Sequence, residues 1–202
     1  MGVDGPSLRR AGALLFLGTV QFLVCFMLAE IYYPGYDVSA NYISDLGATC
    51  RSGTCKFVQP SSAIFDSSIV LLGASLLLGA FFLWKGYGSK ALSFFLMLSG
   101  LGAIGVGMFN ESYGSIHALF SALTFVAGGI QAILVSRVAR PPMSYFSAAA
   151  GAITLAATLL FLSGAYFGLG AGGMERMIVY PALFGTVAFG GYLMGVSSSE
   201  LR

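Results

Sequence analysis

The stretch SSAIFDSSIVLLGASLLLGAFFLW, Ser61 to Trp84, holds one ionisable side chain, Asp66, close to its start, and is apolar or small almost everywhere else. A bilayer core of about 30 Å is crossed by about 20 residues of helix at about 1.5 Å each, so this stretch is long enough to span it. Five more runs have the same character. The spans are expected at Ala11 to Ile31, Ser61 to Trp84, Ala91 to Phe109, Ile116 to Ser136, Tyr145 to Phe167 and Glu175 to Val196. None alternates with the period of two that a barrel wall requires. The expected fold is therefore an all-α integral membrane protein. Residues 1–202 form one membrane domain, a six-transmembrane-helix bundle with one long structured outer loop over residues 32–60.

Composition agrees. Of the 202 residues 57% are hydrophobic and 9% charged, with a mean hydropathy of +0.85. A soluble domain carries roughly 25% charged residues, so this chain could not cover a water-facing surface. That excludes a cytosolic enzyme, a disordered tail and a nucleic-acid binder. The first apolar run is longer than a signal core of about 7–15 residues and no Ala-x-Ala site follows it, so it is read as a retained helix.

Basic residues orient the bundle. Arg9, Arg10, Lys85, Lys90, Arg137, Arg140 and Arg202 fall on one side, and Arg51, Lys56 and Arg176 on the other. The first side is thus expected in the cytoplasm with both termini, the protein being integral to the cell (plasma) membrane. Acidic residues sort the opposite way: Glu30, Asp37, Asp45, Asp66, Glu111 and Glu175 lie outside, Asp4 and Glu200 inside. Cys50 and Cys55 then sit in the outer loop, where an oxidising compartment permits a disulfide. Two cysteines with no nearby histidine offer only half a zinc shell. Cys25, within the first span, reads as a small apolar residue.

Glycine accounts for 28 residues. Ser75 with Gly79, Ala103 with Gly107, Gly164 with Gly168 and Gly191 with Gly195 have the small-xxx-small spacing that lets helices approach closely in lipid. Polar residues in a bundle need a partner, a cavity or water, and here they crowd the outer third. His117, Ser121, Thr124, Gly128 and Gln131 recur in steps of four and three, hence on one helix stripe that should face inward. Asn110 and Glu111 precede that stripe, Asp66 lies about one turn into the second span, and Glu175 and Arg176 open the sixth. One outward-opening pocket can gather them. A plainer account also exists: carboxylates near helix N-termini, such as Asp66 and Glu175, are favoured by the macrodipole alone. Glu30, before Tyr32 and Tyr33, reads as interfacial. Gln21 and Thr124 require no more than an interhelical hydrogen bond.

In the loop, Asn41-Tyr42-Ile43-Ser44-Asp45-Leu46-Gly47 sets apolar Ile43 and Leu46 among polar residues, which predicts a folded segment lying on the membrane with Ser44 and Asp45 capping a short helix. This motif, with Asn110-Glu111-x5-His117 before the fourth span, resembles an uncharacterised family of six-span prokaryotic and archaeal membrane proteins, a domain of unknown function similar at a distance to the FRAG1/DRAM/Sfk1 group. The resemblance implies six helices and marks Asn41, Ser44, Asp45, Leu46, Gly47, Asn110, Glu111 and His117 as the family signature. It implies no settled reaction.

The function best supported by these residues is an outward-facing polar pocket that binds a lipid headgroup or small ligand, or an accessory subunit of a membrane assembly. The candidate pocket comprises Asn41, Ser44, Asp45, Asp66, Asn110, Glu111, His117, Ser121, Glu175 and Arg176. The alternative is an outer-leaflet hydrolase or transferase with His117 as base beside Glu111 or Asp45 and Ser44 or Ser121 as acceptor. A transporter of a small solute is a further alternative, although no mid-span position is ionisable. With one histidine and no Gly-x4-Gly-Lys motif, neither metal nor cofactor is expected. Expected partners are membrane lipid and other membrane proteins, not nucleic acid.

Overall fold

The computed structural model describes residues 4–51 and 53–195. Six helices follow one another: α1 (Gly5–Ile31), α2 (Ser61–Tyr87), α3 (Lys90–Met108), α4 (Ser115–Val135), α5 (Met143–Ser163) and α6 (Gly170–Gly195). All six are long and apolar enough to cross a membrane. Each packs on its neighbours in sequence, and α6 returns to α1, so the helices close a ring. Large apolar side chains such as Leu17, Leu71, Phe94, Leu119, Leu159 and Phe184 point outward all around it. This is the surface a lipid solvent calls for. Val196, Glu200 and Arg202 lie outside the described residues.

The helix ends differ from the hydropathy boundaries because backbone chemistry sets them. Helix α1 starts at Gly5, six residues before Ala11, with Pro6 in its first turn, and the Asp4 N–H donates to the Gly86 carbonyl at 2.9 Å, tying the start of α1 to the end of α2. Helix α5 stops at Ser163, short of Phe167, because Gly164 adopts the left-handed cap conformation at φ 74°. Helix α6 starts at Gly170, five residues before Glu175, and Pro181 therefore lies in its interior. Neither Asp66 nor Glu175 is a first-turn residue, so the macrodipole does not account for them.

Close helix approach comes mostly from glycine pairs other than those expected. A Cβ on Gly73 of α2 would lie 2.5 Å from the Gly100 carbonyl of α3, one on Gly151 of α5 2.6 Å from the Gly129 carbonyl of α4, and one on Gly12 of α1 2.6 Å from the Gly190 carbonyl of α6. Of the expected pairs, Ser75 and Gly79 meet Gly18 and Leu15 of α1, and Gly107 meets α2. Gly164 and Gly168 instead take left-handed turn conformations, while Gly191 and Gly195 face open space. Gln21 does bond across helices, donating to the Ser68 carbonyl at 2.9 Å, whereas Thr124 bonds within its own helix to the Phe120 carbonyl at 2.8 Å.

The segment between α1 and α2 is folded onto one end of the ring. It carries a 3-10 turn at Ser44–Leu46 and a hairpin of β1 (Thr49–Arg51) and β2 (Thr54–Lys56), in which Cys50 is the register partner of Cys55 and disulfide-bonded to it. Ile43, Leu46 and Ala48 are buried against the helices. Ser61 donates to the Leu46 carbonyl at 3.3 Å and Ser62 to that of Gly47, so the start of α2 holds the loop's own backbone.

Overpacking a helix crossing costs about 1–3 kcal/mol. Gly73→Val should therefore lower the unfolding temperature in detergent, while Gly191→Val, with open space around it, should stay within about 0.5 kcal/mol of wild type. Thermal melts of the two variants check this.

Candidate functional site

At the loop end, four carboxylates and two arginines replace water as partners of buried polar groups. Asp45 is fully buried; its Oδ2 accepts from the Tyr42 N–H at 2.8 Å, the Asn41 amide at 2.9 Å and Arg51 at 2.7 Å. Its Oδ1 has no hydrogen-bond partner. Glu111, in the 3-10 turn Glu111–Tyr113 between α3 and α4, accepts from the Ser44 hydroxyl at 2.7 Å and the Cys50 N–H at 3.3 Å, and lies 3.5 Å from Arg51. Burial pushes the Glu111 carboxyl above the usual carboxylate range. The Ser44 hydrogen bond pulls against that, the charge of Asp45 adds to it, and Cys50 and Arg51 oppose it further. Glu175 is buried and its Oε2 accepts from the Ile43 N–H at 2.5 Å.

Arg176, adjacent in sequence to Glu175, turns elsewhere. It is paired with Glu30 at 2.6 Å, donates to the Tyr36 hydroxyl at 2.7 Å, and also donates to the carbonyls of Val38, Asn41 and Gly172 at 3.0, 3.2 and 3.0 Å. Glu30 is thus the counter-ion of a buried arginine. Burial beside this pair raises the Tyr36 hydroxyl above its ordinary value, although Arg176 pulls it down. Asp66 is a separate feature: its Oδ2 accepts from Asn110 at 3.4 Å, and its Oδ1 is buried without a hydrogen-bond partner against Gly47.

The ten residues expected in one pocket therefore divide. Ser44, Glu111, His117, Ser121 and Glu175 line a single groove of about 420 Å³ between α4 and α5. Asn41 and Asp45 brace the loop that roofs it. Asp66 with Asn110, and Arg176, lie outside its lining. Sequence reasoning missed Arg51 and Tyr42, which also line the groove, Arg51 lying 5.1 Å from the centre of the Tyr42 ring. The one available signal was the position of Arg51 directly after Cys50.

The groove has two unlike ends. Arg51, Glu111, His117 and Glu175 crowd the loop end, while Ala122, Phe125, Val126, Phe161 and Leu162 form the rest of the wall. Leu162 and Val126 are 74% and 42% exposed on the outer surface of the ring, so the apolar end opens sideways toward lipid. Inside the ring lies a smaller cavity of about 80 Å³ to which all six helices contribute. The α4 stripe faces it through Ser121, Thr124, Gly128 and Gln131; Ser44, Ser121, Phe125 and Glu175 line both spaces.

His117 Nδ1 lies 2.8 Å from the Phe109 carbonyl, which can only accept, so Nδ1 carries the hydrogen and Nε2 is left to accept. Ser121 Oγ is 3.3 Å from that Nε2. The group orienting the imidazole is thus a backbone carbonyl, and not Glu111 or Asp45 as the sequence suggested. No group of three or more His, Cys, Asp or Glu side chains suited to a metal occurs among the described residues.

The family described as Protein of unknown function (DUF998) matches residues 16–192, nearly the whole chain, and the chain belongs to that family. No curated protein and no solved structure matches it.

Two outcomes follow from the charges. Breaking a buried ion pair by removing one partner costs on the order of 3 kcal/mol, so Arg176→Gln should lower the unfolding temperature far more than Lys56→Gln on the exposed hairpin, as thermal melts will show. Because the folded protein raises the affinity of Glu111 for its proton, this group favours folding below the ordinary carboxylate range and loses that contribution as pH rises through its raised value. The melting temperature of wild type relative to Glu111→Gln should fall as pH rises above the ordinary carboxylate range.

Proposed function

We propose that this DUF998 protein holds a membrane amphiphile in the groove between α4 and α5, its polar head at the loop end and its apolar chain along the side open to lipid. The observation that carries the reading is the two-ended lining: polar and charged residues under the loop, then an aromatic and aliphatic wall continuous with the lipid-facing surface. A volume of about 420 Å³ lies in the range of small-ligand sites. The loop end faces the outside of the cell membrane and both termini lie in the cytoplasm; the excess of Arg and Lys at the terminal end and the disulfide in the loop support that orientation.

A second reading is favoured by one contact. Ser121 beside the accepting Nε2 of His117 has the arrangement of a nucleophile and its base, at the boundary between the polar and apolar ends of the groove. An amphiphile bound there would present its head linkage to Ser121, making the protein an outer-leaflet hydrolase or transferase. Labelling of wild type but not Ser121→Ala by a long-chain fluorophosphonate would support this activity, and no labelling of either would dismiss it.

Ala122 lines the groove and carries no polar contact, so Ala122→Trp should fill the apolar end without touching the charges. In native mass spectra of protein purified in mild detergent, wild type should retain an amphiphile-sized adduct that Ala122→Trp loses at unchanged melting temperature. Equal adducts on both proteins, or none on wild type, would overturn the reading.

A further inference from the structure

Charge at the head end of the groove is unbalanced. Two carboxylates, those of Glu111 and Glu175, line it, a third, Asp45, is buried behind Arg51, and Arg51 is the one lysine or arginine among the described residues that line the groove. Arg51 is already committed to Asp45 at 2.7 Å and Glu111 at 3.5 Å. Arg176, next to Glu175 in sequence, is turned to Glu30 and three backbone carbonyls. Among the described residues Glu175 is therefore left without a cation at ion-pair distance.

Glu175 is also the residue whose position points to a ligand. It is 6% exposed, and the one hydrogen bond it makes among the described residues is from the Ile43 N–H to Oε2. Oε1 meets no donor there, and the side chain lines both the groove and the central cavity. A buried carboxylate in a bundle requires a partner, whether a proton, a cation or a donor. Among the described residues no donor meets Oε1, but a ligand in the groove is placed to supply one.

The remaining walls suit a positive head. The ring of Tyr42 already lies under a guanidinium, that of Arg51, and packs edge-on against Phe161 at 5.8 Å. Phe125 lies on the boundary shared with Glu175. Aromatic faces attract cations where water is excluded. An anionic head would meet two carboxylates, Glu111 and Glu175, and a single arginine that already has partners.

Resting on the amphiphile reading, we infer that the head end selects a protonated amine: the groove takes an amphiphile with an ammonium head that donates to Glu175 Oε1, flanked by Glu111, with its chain between α4 and α5. Arg51 stands beside this position as the chain's own cation, held by Asp45 and Glu111.

The experiment compares dodecylamine, 1-dodecanol and dodecanoate, equal in chain length and different in head. Each is titrated against the full-length protein in maltoside detergent at neutral pH, and bound adducts are read by native mass spectrometry. Dodecylamine should bind wild type about tenfold more tightly than the other two. Glu175→Gln, which keeps the shape and an acceptor for the Ile43 N–H, should abolish that preference and leave 1-dodecanol binding unchanged. Glu111→Gln, on the more exposed side of the head, should narrow the preference by about threefold; it provides the same reading if Glu175→Gln does not fold. Equal binding of the three probes to wild type, or a preference for the amine that survives both substitutions, would overturn the inference while leaving the groove as an amphiphile site. Binding of none of them would overturn both.

Discussion

A loop laid on a membrane bundle has to find partners for its backbone without much help from water, and in this protein side chains supply them. Three carboxylates each take a backbone N–H of the segment between α1 and α2: Asp45 from Tyr42, Glu175 from Ile43 and Glu111 from Cys50. Arg176 supplies the complementary donors to the carbonyls of Val38 and Asn41. Leaving such groups unpaired in an apolar setting costs on the order of 1–3 kcal/mol each, so the position of the loop depends on these four side chains. The roof of the groove depends on the loop, and the ring of helices supplies its walls.

The same groups cannot be fully satisfied by the loop alone. A carboxylate has more acceptor sites than one N–H fills, and Asp45 Oδ1 and Asp66 Oδ1 are both buried without a hydrogen-bond partner. Asp45 meets part of its demand through Arg51 and Asn41, and Glu111 through Ser44 and Arg51. Glu175 has the least, one N–H at Oε2. Structural carboxyl groups brought together to pin a loop thereby leave an acceptor, Glu175 Oε1, unfilled at the head of an apolar groove, which is the physical link between the fold and the function proposed for it.

The six helices were legible from sequence because lipid imposes one simple requirement, about 20 apolar residues in a row, and stretches such as Ser61 to Trp84 meet it without ambiguity. The helix ends were not, since Pro6, Gly164 and Gly170 decide them through backbone geometry that hydropathy does not register. The loop motif Asn41 to Gly47 announced a folded segment through Ile43 and Leu46, and both are buried. Its partners lay beyond reach of any local reading: Glu30 and Arg176 are 146 residues apart, Ile43 and Glu175 132, and Ser44 and Glu111 67. Arg176 in particular looked like a neighbour of Glu175, yet the turn of α6 directs Glu175 to Ile43 and Arg176 to Glu30 and the carbonyls of Val38 and Asn41. The inward stripe on α4 was readable from its spacing, but the tautomer of His117 depends on the carbonyl of Phe109, which no side-chain pattern reveals.

Photolabelling in a bilayer tests most directly whether the groove is an amphiphile site. The protein would be reconstituted with a phospholipid carrying a diazirine in its acyl chain, irradiated, and the labelled positions mapped by mass spectrometry. Ser121 and Phe125 lie on the inner boundary of the groove, whereas Leu17 and Phe94 face bulk lipid. The account predicts strong labelling at Ser121 and Phe125 that competes away with added amphiphile, above an uncompeted background at Leu17 and Phe94. Labelling confined to the outward-facing positions, with none at Ser121 or Phe125, would contradict it.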